Sequence, residues 1–261
     1  MKTIRSINWR RRLPAALGIA MAAALTAAAA DGGTKLVVVV ENVFASANEP
    51  LAVTVETNSS VISGLDGVSM LGVIPRRIHM HSSPSSCTDL VPWLRREGGV
   101  EGGSTRLRVV AQGQSATPVL ISNLRVNVLH TGPPVAGTSL YCGTQGVAQI
   151  RPIFIDLDAQ PPTVRFGSGT HPFGFTVGPG EIETFDIEAS TERAYVRWTL
   201  TLQLLVGGHR EAVQIDDHGR PFETTPAPAA HDAWSWDYSE GWESPSGQTI
   251  PAGHPLAPTA P

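Results

Sequence analysis

The chain of 261 residues carries 19 basic and 23 acidic side chains, and five of the basic ones but none of the acidic ones fall in residues 1–30. The remainder holds 14 against 23, a net charge of −9. That argues against nucleic acid as a partner, because binding it needs basic groups to displace counterions.

Lys2, Arg5, Arg10, Arg11 and Arg12 precede an uncharged apolar run at residues 13–30. This is the layout of an export signal, and Ala28, Ala29 and Ala30 before Asp31 match the small-residue cleavage pattern. The run of 18 residues also reaches the low end of a membrane span, so an uncleaved anchor is the competing reading. Arg10 and Arg11 permit a twin-arginine signal as well. On either reading the arginines stay inside and the rest of the chain is extracytoplasmic, secreted or held at the cell membrane. In that compartment the two cysteines, Cys87 and Cys142, point to one disulfide; two buried free thiols are the alternative.

Residues 36–43 (LVVVVENV) form a continuous β-branched run that suits a strand covered on both faces. Leu51, Val53 and Val55 alternate with Ala52, Thr54 and Glu56, a second strand that a short turn at Asn48, Glu49 and Pro50 would let pair with the first. Residues 58–72, rich in Ser and Gly, read as a loop, and residues 76–81 as a short strand after Pro75. The one helix expected lies between Asp89, its cap, and Gly98, its left-handed close, with Leu90, Trp93 and Leu94 as the apolar stripe and Pro92 in the first turn.

Strand signals then follow closely: Leu107 and Val109; Val119 to Leu129; residues 139–142; Ile153, Ile155 and Leu157; residues 173–177; Phe185 and Ile187. The strongest is residues 193–206, where Val196, Trp198, Leu200, Leu202, Leu204 and Val206 alternate with Arg197, Thr199, Thr201, Gln203 and Leu205. Period two over that length marks a half-buried strand at the centre of a sheet. Val213, Ile215 and Phe222 about the turn at Asp216 to Gly219 read as a hairpin. The expected fold is therefore all-β, an antiparallel β-sandwich at residues 31–225 with one short helix. A cut near residues 113–117 would give two smaller sandwiches, but a bridge from Cys87 to Cys142 would cross it. Residues 226–261 hold seven Pro, four acids and no Lys or Arg, a tail expected to stay partly unfolded. Trp234, Trp236, Tyr238 and Trp242 inside it would either dock on the domain or form a ligand platform.

Few constellations could carry chemistry. His79 and His81 share a strand face and could reach one metal, in the manner of the His-x-His of cupins. No Glu follows at the cupin spacing, so they read as an ordinary pair at a loop edge. Asp156 and Asp158 could pair as carboxylates for glycoside chemistry, but residues two apart on one strand more often end it, and the usual pair comes from different elements. Asp216, Asp217, His218 and Gly219 look like a catalytic cluster yet have the composition of a turn. Nucleophile elbows and phosphate loops are missing from the sequence, and no cofactor is implied.

The segments Trp93-Leu94-Arg95-Arg96-Glu97-Gly98-Gly99-Val100, Pro118-Val119-Leu120-Ile121-Ser122-Asn123-Leu124-Arg125-Val126 and Asp217-His218-Gly219-Arg220-Pro221-Phe222 resemble a group of uncharacterised exported or membrane-anchored β-domain proteins from actinomycete-type, high-GC bacteria. The likeness spans roughly residues 73–240. It implies an address and a fold, and carries no activity or site residue; the N-terminal β section and the proline-rich tail are longer here than in that group. The expectation is a non-catalytic binding module at the cell surface, taking a protein or a glycan through the Trp-rich tail and residues 82–86. A secreted hydrolase acting on glycans and a membrane-tethered accessory subunit are the alternatives.

Overall fold

The computed structural model describes residues 49–58, 62, 70–76, 82–143, 151–167, 174–227, 233–254 and 256. The segment at residues 1–30 and the strand expected at residues 36–43 lie outside them. The chain divides into two compact units, Met1–Val39 and Val40–Pro261, and the described residues all belong to the second.

In chain order the first elements are β1 (Leu51–Glu56), β2 (Met70–Pro75), α1 (Leu90–Glu97), β3 (Val100–Gly102), β4 (Ser104–Gly113), β5 (Val119–Gly132) and β6 (Gly137–Cys142). The middle of the chain supplies β7 (Ile153–Asp156), β8 (Thr163–Phe166), β9 (Phe175–Val177), β10 (Ile182–Ser190) and β11 (Tyr195–Val206). Last come β12 (His209–Ile215), β13 (Phe222–Thr225), β14 (Trp234–Asp237), β15 (Gly241–Glu243) and β16 (Thr249–Ile250).

Two sheets form a sandwich. One runs β1-β4-β10-β7-β8; the other runs β16-β15-β14-β6-β2-β3-β13-β11-β5-β9, with β12 also on β11. Most pairs are antiparallel, as expected, but β7 with β10, β3 with β13 and β6 with β14 run parallel, so both sheets are mixed. The alternating strand takes the central place read for it: β11 pairs with β5 along one edge and with β12 and β13 along the other. Its inward row, Val196, Trp198, Leu200, Leu202 and Leu204, is buried among Leu107, Val109, Ile121, Phe185 and Ile187. Each such side chain contributes roughly 1.5 to 3 kcal/mol on leaving water.

The hairpin expected across residues 216–219 is corrected. β12 and β13 lie end to end along β11, at Leu200 to Val206 and at Val196 to Trp198, and do not pair with each other. The intervening residues leave the sheet and reverse at Asp217 and Arg220, which bridge each other across His218 and Gly219. The φ values of these two, 56° and 83°, are those of a tight primed turn, a geometry Gly accepts without strain.

The strand expected at residues 76–81 lies outside the described residues beyond Arg76, while the end of the expected loop, from Met70, is a strand that runs to Pro75. Met70, Leu71, Val73 and Ile74 pair with β6, and Pro75 ends the strand, where a missing N–H costs no ladder bond. Gly72 disguised this strand as loop. A Cβ there would lie 2.4 Å from Leu94 Cδ1, so the glycine is what lets α1 settle on the sheet. The helix closes as expected, with Gly98 at φ 72° and Gly99 N–H donating to the Leu94 carbonyl at 2.7 Å. Asp89, however, does not cap it. Its carboxylate instead accepts from Ser85 and from Arg96, because a 3₁₀ turn, Cys87–Asp89, already leads into the helix.

The Cys87–Cys142 disulfide forms, with Cα atoms 5.7 Å apart, and fastens that 3₁₀ turn to β6. Closing a loop of 55 residues stabilises the fold by about 4 kcal/mol on the chain-entropy account. Around it lies a second core of Met70, Ile74, Leu90, Trp93, Leu94, Leu140, Trp234 and Trp242. The tail therefore folds: from β14 to β16 it extends the larger sheet, and Trp234 and Trp242 are 2% and 0% exposed. A Pro-rich segment that cannot bury its own surface does so against a preformed sheet edge.

Candidate functional site

Of the residues singled out in the sequence, His79 and His81 lie outside the described residues. Among the described residues no group of three or more His, Cys, Asp or Glu is arranged to hold a metal ion. The tryptophans do not make an exposed row. Trp242 donates its Nε1–H to the Pro84 carbonyl at 2.9 Å, and Trp236 meets it edge to face with centroids 5.2 Å apart. The loop at residues 82–86, expected as a contact surface, is drawn into the same joint: Ser83 N–H donates to the His254 carbonyl and Ser83 Oγ accepts from Gly253 N–H. Trp234, Trp242 and this loop hold the tail to the domain. The turn between β14 and β15 stays open, with Tyr238 at its tip 74% exposed. Asp237 accepts from the Ser239 hydroxyl and from the Ser239 and Glu240 amides there, bonds that hold its carboxyl below the ordinary range.

Asp156 and Asp158 prove to be positioning groups. Asp156 accepts from Asp158 N–H at 2.9 Å, and Asp158 reaches across to Thr191 Oγ1 at 2.9 Å and Glu192 N–H at 2.7 Å. Thr191 N–H in turn donates to the Gly103 carbonyl at 3.0 Å. These bonds hold the segment after β10 as one wall of a groove of about 430 Å³. Its apolar and aromatic lining comes from Met70, Leu71 and half-buried Tyr141, its polar lining from Ser104, Glu188 and Ser190 to Glu192. Arg106 pairs with Glu188 at 3.1 Å. The groove combines apolar and aromatic lining with a few polar groups. Sequence reasoning missed it, because Tyr141 and Glu192 are 51 positions apart and meet only through the mixed pairing of two sheets.

A second polar assembly sits where α1, β3 and the turn at residues 217–220 converge. Asp217, with a side chain 8% exposed, is held by Arg95 at 3.4 Å, Arg220 at 3.2 Å and His218 Nδ1 at 3.0 Å. Arg95 also donates to Thr57 Oγ1. Glu101 lies in register with Gly72 on one side and Thr224 on the other. Although part of it reaches solvent, the surrounding protein is dense enough that burial pushes its carboxyl up to about 7. Arg95 and the Thr105 hydroxyl oppose that push, and the Asp217 charge adds to it. Beside Glu101, Thr105 and Thr224 share a hydrogen bond of 2.8 Å, and Trp198 Nε1–H donates to Thr224 at 2.9 Å.

A raised acid coupled to an ionised one is the pattern of acid–base catalysis. Here, however, Asp217 is enclosed by three cationic or potentially cationic partners and has little surface left for a substrate. The arrangement is a buried ion joint that ties the helix to the turn.

Compared with protein-family models, curated proteins and solved structures, the chain matches none.

Proposed function

We propose that the chain is a non-catalytic extracytoplasmic binding module, exported or tethered by residues 1–30, that takes a surface glycan in the groove over Tyr141. The likeness to exported β-domain proteins of high-GC bacteria belongs to the same proposal. A β-rich domain with a disulfide suits an oxidising compartment, and no helix among the described residues is long and apolar enough to cross a membrane.

The observation that carries the reading is the groove itself: Tyr141 lines it together with hydroxyl and carboxylate groups, of which Asp158 holds Thr191 and Glu192 in place. A sugar ring offers C–H groups to an aromatic face and hydroxyls to acceptors such as Glu192. The net charge of −9 on the exported part disfavours an anionic polymer as the ligand.

The test is binding of the whole protein to an array of cell-surface glycans, beside Tyr141→Ala. Retention on a subset of glycans, cut about tenfold by the substitution at an unchanged melting temperature, supports the reading. Equal retention of both proteins, or none of either, removes it.

A second reading, a glycan hydrolase, draws on Glu188 and Glu192 lining one groove. The ion pair of Glu188 with Arg106 favours a fixed carboxylate over a proton donor. Release of new reducing ends that Glu192→Gln abolishes would put the hydrolase first.

A further inference from the structure

The two layers of the sandwich part along one side. There β1 ends the smaller sheet and β12 pairs only with β11, so each leaves an edge without a partner among the described residues. A cleft of about 660 Å³ lies between them. Val53, Val55 and Val213 line it, half-buried against the main core and capped by nothing among the described residues. Glu49, Glu211 and Asp216 line it too, with His218 beside them, and the described lining contains no Lys or Arg. Asp216 is fixed in place, accepting from Gly219 N–H at 2.7 Å and Gln214 Nε2–H at 3.0 Å.

We infer that this cleft is a docking site for an extended peptide segment of a partner protein, apolar in its middle and basic at its ends, which adds a strand along β12. An added strand satisfies the unpaired N–H and C=O groups of an edge whatever its sequence, so the side chains supply the choice. In a strand, successive side chains face opposite ways. The row facing the cleft would cover Val53, Val55 and Val213, and basic residues where that row ends would meet Glu211, which shares the face of Val213, and Glu49 and Asp216. An acidic segment would be repelled by the same three groups. This surface is separate from the groove over Tyr141 and does not depend on the glycan reading.

The experiment uses the full chain and two labelled peptides about ten residues long, each with a Val-rich middle, one ending in Lys at both ends (Val–Lys) and the other in Glu (Val–Glu). Anisotropy titrations at low and high salt give affinity, and hydrogen exchange gives the position. The expected result is binding of the Val–Lys peptide about tenfold or more tighter than the Val–Glu peptide, weakening with salt. The outward amides of β12 should slow on binding. Glu49→Lys with Glu211→Lys, both at exposed positions, should cut the affinity about tenfold at an unchanged melting temperature, and the milder Glu211→Gln should fall between.

Equal affinity for both peptides overturns the inference. So does slow exchange of the β12 amides in the free protein: if independent of concentration, another part of the chain covers the edge, and if concentration-dependent, a second copy does.

Discussion

Glu101 gives the sharpest test of how this fold is held, because its cost reverses with pH. Its carboxyl titrates at about 7 in the folded chain against an ordinary value of 4.5, so the folded state holds the proton more tightly than the unfolded one. The contribution is fully present below about pH 4.5, falls away between 4.5 and 7, and is gone above 7, where the fold carries a buried carboxylate. Each tenfold in proton affinity is about 1.4 kcal/mol, so the gap sets a ceiling near 3.4 kcal/mol. Because part of Glu101 reaches solvent, screening reduces this to about 1.5 to 2 kcal/mol. Glu101→Gln keeps the shape and removes the titration. Urea unfolding followed by tryptophan fluorescence at pH 4.5, 6 and 7.5 should show the variant gaining about 1.5 to 2 kcal/mol on the wild type across that range. Other groups titrate alike in both proteins and cancel in the difference. Two stability profiles that stay parallel from pH 4.5 to 7.5 would refute the burial of this carboxyl.

Gly72→Ala should lower stability by about 1 to 3 kcal/mol, because the new methyl overlaps Leu94 and that side chain has no free volume to retreat into. Urea midpoints measure it, and a second change, Leu94→Val, should recover part of the loss. Replacing Cys87 and Cys142 together by Ser should cost about 4 kcal/mol, read as the shift between oxidised wild type and variant in the same assay. A variant as stable as the wild type would show that the loop is closed by packing alone.

The strand at the centre was legible because its signal is local: an alternation of Trp198, Leu200, Leu202 and Leu204 with polar neighbours needs no knowledge of the partners. The helix ended where Gly98 said it would for the same reason, and the pairing of Cys87 with Cys142 followed from count and compartment. What was misread depends on contacts across the chain. β2 passed for loop because the glycine in its middle answers to Leu94, 22 positions later. β12 and β13 looked like a hairpin because both flank a turn, whereas the partner that aligns them is β11. Trp234 and Trp242 have no core of their own and acquire one only when β14 joins β6.

The site was less legible still. Asp156 and Asp158 stood out as a carboxylate pair, yet the partners of Asp158, Thr191 and Glu192, lie 33 and 34 positions away. Glu101 carried no signal at all, since its raised affinity for a proton comes from the neighbours that β2, β13, α1 and the turn at residues 217–220 bring round it.

The groove over Tyr141 is the centre of the functional account, and hydrogen exchange with and without the glycan best retained on the array reaches it most directly. The account predicts slowed exchange confined to β6 about Tyr141 and to the segment from Ser190 to Glu192. Slowing elsewhere with those segments unchanged would place the ligand on another surface and contradict it.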